Sequence, residues 1–110
     1  MITNNPTYKT IKFKPFYQKE EIELELEFNR YPDGQRYIGL WHNDEPYLTA
    51  TVRINVPGNP NYNLDDRDVV IKNYSENADI LEALIANNII EEPHTELPCN
   101  FVTLYVAKLK

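Results

Sequence analysis

Glu20-Glu21-Ile22-Glu23-Leu24-Glu25-Leu26-Glu27-Phe28 is the stretch whose reading decides the fold. Apolar Ile22, Leu24, Leu26 and Phe28 alternate with Glu21, Glu23, Glu25 and Glu27. A period of two sends the two sets to opposite faces of a β-strand. One face suits a core. The other is a ladder of carboxylates, turned either to water or to a basic partner.

The flanking residues extend the pattern. Upstream, Ile11 and Phe13 alternate with Thr10, Lys12 and Lys14, and a turn containing Pro15 follows. A hairpin must set inward residues against inward residues. The register that does so pairs Phe13 with Ile22 and Ile11 with Leu24, and places Lys14 opposite Glu21 and Lys12 opposite Glu23. Cross-strand ion pairs of this kind contribute roughly 0.2–1 kcal/mol each. Downstream, Tyr31-Pro-Asp-Gly34 has turn chemistry. A third strand over 36–42 puts Ile38 and Leu40 on one face and Tyr37 and Trp41 on the other. After a turn at Asn43-Asp-Glu-Pro46, a long strand over 47–56 is expected. Leu48, Ala50, Val52, Ile54 and Val56 face inward in it, and Tyr47, Thr49, Thr51, Arg53 and Asn55 outward.

Residues 57–66 are rich in turn formers and read as an irregular loop. Asp68-Val-Val-Ile-Lys72 is a short strand. Ser75 is placed to cap a helix over about 76–87 whose apolar stripe is Ile80, Leu81, Leu84 and Ile85. Asn87-Asn88 can end it, because asparagine tolerates the left-handed conformation. A Pro-bracketed loop over 93–98 leads to a final strand over 101–108. The expected fold is α+β: one domain over 1–110, with a mostly antiparallel five- to six-stranded sheet and one helix packed on one face.

Composition narrows the class. The chain has 110 residues, 42% of them hydrophobic, and one cysteine, Cys99, which cannot pair within the chain. Stability must then come from packing, as suits a reducing cytosol. No segment approaches the roughly 18 apolar residues of a membrane span, and the N-terminus lacks the basic-then-apolar pattern of a signal peptide. A cytoplasmic protein is expected. The net charge is −6, and residues 61–92 carry all of that excess. Such a surface repels nucleic acid and anionic lipid and steers toward basic proteins.

The acid in that third of the chain is Asp65, Asp66, Asp68, Glu76, Asp79, Glu82, Glu91 and Glu92. Glu76, Asp79 and Glu82 are spaced three apart on the expected helix, and no lysine or arginine occupies 76–87. Two readings stay open. Acidic side chains near a helix N-terminus complement its dipole, and a carboxylate ladder guards a sheet against edge pairing. Alternatively the acid faces a basic partner. Alternate strand residues lie about 6.8 Å apart, against one phosphate per ~3.4 Å of a DNA strand, so the ladder needs acid from elsewhere to imitate a nucleic-acid backbone. On the second reading the partner-binding residues are Asp65, Asp66, Asp68, Glu76, Asp79 and Glu82. Tyr31, Tyr37, Tyr47 and Tyr62, with Trp41, have the residue types of protein interfaces.

Catalytic and metal patterns are missing from the sequence. Asp65-Asp66-Arg67-Asp68 does not have calcium-loop spacing. His42 and His94 have no second ligand at zinc spacing. Cys99 lies outside any nucleophile signature, and three glycines hardly build a phosphate loop. A non-enzymatic protein without cofactor is expected.

Tyr31-x-x-Gly34, Glu45-Pro-Tyr47, the strand Leu48–Asn55 and Lys72-Asn-Tyr-Ser-Glu-Asn77 resemble a domain-of-unknown-function family. Leu81, Leu84 and the closing strand from Phe101 continue the likeness, which covers about residues 30–108. The family consists of small proteins carried on plasmids, conjugative elements and phages of low-GC Gram-positive and gut bacteria. Its glycine after the helix is Asn88 here. The resemblance lends no catalytic residue. It implies a mobile-element setting, where small acidic proteins inhibit host defence enzymes. By analogy, the expected partner is a basic nucleic-acid groove on a Cas9-type effector, since such grooves hold strands by their backbones. The alternative is an accessory protein for a partner encoded on the same element.

Overall fold

The computed structural model describes residues 9–15, 17–54, 64–99 and 101–110. The alternating stretches become β1 (Thr10–Phe13), β2 (Ile22–Arg30) and β3 (Arg36–His42), followed by β4 (Glu45–Thr49). These four form an antiparallel sheet in sequence order. The first hairpin has the register that alternation predicts, with Ile11 opposite Leu24, Lys12 opposite Glu23 and Phe13 opposite Ile22. Glu23, however, takes a hydrogen bond from the Thr10 hydroxyl at 3.4 Å rather than an ion pair. Asn43 and Asp44 both have positive φ, 51° and 67°, the conformation of the type I′ turns that match strand twist.

The expected single sheet is instead two. β5 (Asp68–Lys72), β6 (Thr95–Cys99) and β7 (Val102–Lys108) form a second antiparallel sheet in the order β5-β7-β6. The long strand expected over 47–56 breaks after Thr49 because the chain changes hydrogen-bonding partners there. The Ala50 N–H still bonds the Ile38 carbonyl of β3, while the Ala50 carbonyl already accepts from Lys72 of β5. Thr51 forms an isolated bridge with Ile71, and the Val52 N–H bonds the Val70 carbonyl. Thr51, expected outward, is 2% exposed. Its hydroxyl accepts the Ile38 N–H at 3.1 Å and so fills the gap in the first sheet. Residues 55 and 56 of the expected strand lie outside the described residues.

β6 occupies the segment expected to be a Pro-bracketed loop. It pairs on one side only, with β7, and an edge strand tolerates a proline such as Pro98. The final strand begins at Val102, and Phe101 is fully exposed.

The helix is also shorter than expected. A 3-10 turn (Ser75–Asn77) precedes α1 (Ile80–Ala86). Ala78 (ψ 132°) and Asp79 (φ 74°) separate them. Ser75 makes no side-chain cap; the Asn73 side-chain carbonyl accepts the Leu81 N–H at 2.9 Å. At the other end Asn88 adopts φ 67°, and the Ile89 and Asn88 N–H groups bond the carbonyls of Leu84 and Ile85. This is the paired C-terminal closure that a left-handed residue permits, at the asparagines expected to end the helix.

Ile80, Leu81 and Leu84 pack with Ile11, Phe13, Leu24, Leu26, Ile38 and Leu40 from the first sheet and Val69, Ile71 and Ala107 from the second. Phe28, expected inward with them, is 39% exposed near the strand end. Val70, Leu104 and Val106 form a smaller core on the other face of the second sheet. No helix among the described residues is long and apolar enough to cross a membrane.

Candidate functional site

Folding brings cations to four of the six carboxylates expected to face a partner. Asp66 lies between Arg30 at 2.9 Å and Arg36 at 3.2 Å. Asp65 and Asp68 share Lys108, at 3.0 and 3.2 Å. Asp68 is opposite Lys108 in the β5–β7 register. It also meets His94 Nε2 at 2.9 Å and accepts the Asp65 N–H at 2.7 Å. Glu76 pairs with Lys72 at 2.7 Å. Asp79 and Glu82 are exposed and make no ion pair with a described residue.

Titration follows the pairing. Burial alone pushes the Asp68 carboxyl up, but hydrogen bonds from His94, the Asp65 N–H and Lys108 outweigh it and hold the group below its ordinary value. Lys108 lowers Asp65, Arg30 and Arg36 lower Asp66, and Lys72 lowers Glu76. Lys108 is raised in turn by Asp65 and Asp68. The acid of 65–76 is therefore largely a seam of internal ion pairs. Arg30 and Arg36 tie the first sheet to the turn before β5, and Lys108 ties that turn to the end of β7.

The outer face of the first sheet is arranged differently. Register places Glu25 between Thr10 of β1 and Trp41 of β3, and Glu27 beside Gly39. The Trp41 indole N–H donates to Glu27 Oε1 at 2.9 Å, which fixes the ring. Tyr37 crosses over Gly39; a Cβ at 39 would stand 2.5 Å from the Tyr37 hydroxyl. Tyr37 also meets Tyr31 edge to face at 5.4 Å. The ladder shifts register between Leu40 and Trp41, so Trp41 pairs with Pro46. Tyr47 then packs against the core beside His42. Burial and the hydrogen-bonded Tyr17 hydroxyl raise the Tyr47 phenol to about 12.

Two depressions meet at Trp41. One, of 410 Å³, is lined by Glu25, Leu26, Glu27, Trp41 and Asp44. The other, of 330 Å³, runs past Tyr37, Pro46, Tyr47 and Thr49 toward Lys72 and Glu76. Glu25, Glu27 and Asp44 make no ion pair with any described residue.

No known protein family, characterised protein or solved structure matches this chain. The residues themselves must carry the functional reading.

Among the residues offering chemistry, Cys99 is exposed at the end of β6. His42 faces the Glu23 carbonyl and the Asn43 amide, each at 3.3 Å, and His94 is held by Asp68 and Thr95. No three His, Cys, Asp or Glu side chains among the described residues are grouped to hold a metal. Of the aromatic set expected at an interface, Trp41, Tyr37 and Tyr47 line the second depression, Tyr31 supports Tyr37, and Tyr62 lies outside the described residues. Sequence reasoning missed Asp44 and the cations of the seam. Lys72, four residues before Glu76, was the one local signal for that pairing.

Proposed function

We propose that this chain is a non-enzymatic interaction protein that takes a basic protein segment on the outer face of its first sheet. The observation that carries this reading is Trp41, pinned by Glu27 at the junction of an acidic and an aromatic depression. Rigid aromatic side chains give contact area at little entropic cost, and Trp is enriched among residues that dominate binding. Carboxylates with no cation paired to them among the described residues supply attraction and steering. The seam of Asp65, Asp66, Asp68 and Glu76 is largely occupied by its own cations, and Asp79 and Glu82 lie apart from the groove, so the offered charge is that of Glu25, Glu27 and Asp44.

The partner class is a basic protein surface. A Cas9-type effector, implied by the mobile-element resemblance, is the instance to try first. The test is capture of that effector by the purified protein at low and high salt, with Glu25→Gln/Asp44→Asn as the comparison. Salt-sensitive capture that the double variant loses is expected. Salt-insensitive capture of a co-encoded partner, untouched by the variant, would contradict the reading.

A further inference from the structure

We propose that the groove on either side of Trp41 binds an extended, proline-containing peptide that carries arginine; this rests on the functional reading above and specifies its partner. Three features of the groove select that ligand. First, Glu25, Glu27 and Asp44 line one depression with no described cation paired to them, and a guanidinium is the side chain that both pairs with carboxylates and stacks on an indole. Second, the adjoining depression is walled by Tyr37, Trp41, Pro46 and Tyr47. Aromatic-lined grooves receive polyproline II segments, whose stiff backbone loses little entropy on docking.

Third, the edge of β4 is a poor template for the competing mode, in which a peptide adds as a strand. Pro46 has no N–H to give, and the Thr49 carbonyl already accepts from Asn77 Nδ2 at 2.7 Å. Strand addition needs a continuous run of free main-chain groups, whereas a polyproline II ligand does not. The walls are also fixed before any ligand arrives. Trp41 is held by Glu27, Tyr37 by its fit over Gly39, and Tyr47 by Tyr17.

Trp41 is the sole tryptophan of the chain, so its emission reads the site directly. The probes are peptides of four Pro-Pro-Arg, four Gly-Ser-Arg or four Pro-Pro-Glu repeats, titrated at low salt. The Pro-Pro-Arg peptide should give a saturable change in emission. The Gly-Ser-Arg peptide should bind about tenfold more weakly, and Glu25→Gln/Asp44→Asn should weaken Pro-Pro-Arg by about tenfold, the order of one close charge contact. Pro-Pro-Glu should not bind. Equal affinity for the two arginine peptides would overturn the proline preference and leave the functional reading standing. Failure of both arginine peptides, while a folded basic protein is still captured through Glu25 and Asp44, would overturn the peptide proposal alone. Failure of every basic probe would overturn both.

Discussion

Asp66 and Glu25 are both carboxylates on the protein surface, and the fold treats them in opposite ways. Asp66 has two guanidinium groups within 3.2 Å. Glu25 has a threonine on one side, a tryptophan on the other and no described ion pair. The same contrast separates whole regions. The seam around β5 and β7 uses its acid to join elements distant in sequence, while the outer face of the first sheet leaves acid beside fixed aromatic rings. Balance of charge along the chain is thus a poor guide to balance in space. The segment 61–92 carries the excess of acid, yet its Asp65, Asp66 and Asp68 find Arg30, Arg36, His94 and Lys108 outside it. The ladder segment, where acid and base balance, keeps carboxylates with no ion pair among the described residues.

Both regions rest on one core, so the largest effect should come from breaking it. Leu24→Asp and Leu84→Asp each bury an unpaired charge at a site that is 0% exposed. Each should cost more than about 4 kcal/mol and abolish the cooperative melt. A wild-type melting temperature for either would refute the packing.

The next effect distinguishes the regions. Asp68→Ala removes a side chain 5% exposed that accepts from His94, Lys108 and the Asp65 N–H. The expected loss is about 2 kcal/mol, or a melting temperature lowered by about 8 °C. Glu25→Gln/Asp44→Asn should stay within about 0.5 kcal/mol of wild type. Similar melts for the two variants would erase the distinction.

Acid titration sharpens it. Asp65, Asp66, Asp68 and Glu76 are all depressed below 3.8 or 4.5 in the fold. A depressed carboxyl contributes stability that is full above its unfolded value and lost as pH falls toward the folded one. Stability should therefore hold from neutral pH to about 5 and then fall, chiefly through Asp68, the least exposed of the four. Urea midpoints measured against pH should show that fall, and Asp68→Ala should flatten it. An unchanged acid limb in the variant would remove Asp68 from the seam. The smallest effect is expected at exposed Cys99: Cys99→Ser should alter neither the melt nor binding, and loss of function would revive an enzymatic reading.

The local pattern of the sequence carried much of the fold. Strict alternation in 20–28 sufficed for the first hairpin register, because any one-residue slip would bury glutamates. Asn88 sufficed for the helix end. The break after Thr49 was not legible, because Leu48, Ala50, Val52 and Ile54 keep a perfect alternation while the chain changes partners. β6 was hidden by Pro93 just before it and by Pro98 within it, which an edge strand tolerates. For the site, tyrosines and Trp41 were recognisable by type. The fate of the carboxylates was not, since Asp66 and Arg30 are brought together only by folding.

The central claim is that the partner-facing acid lies beside Trp41 and not in the 65–82 segment. The direct measurement is the affinity of the four-repeat Pro-Pro-Arg peptide, read by Trp41 emission, for two charge-neutralised variants of equal charge change. Glu25→Gln/Asp44→Asn should bind about tenfold more weakly, and Asp79→Asn/Glu82→Gln should match the wild type, with both melting normally. Loss of binding in the helix variant with retention in the first-sheet variant would contradict the account.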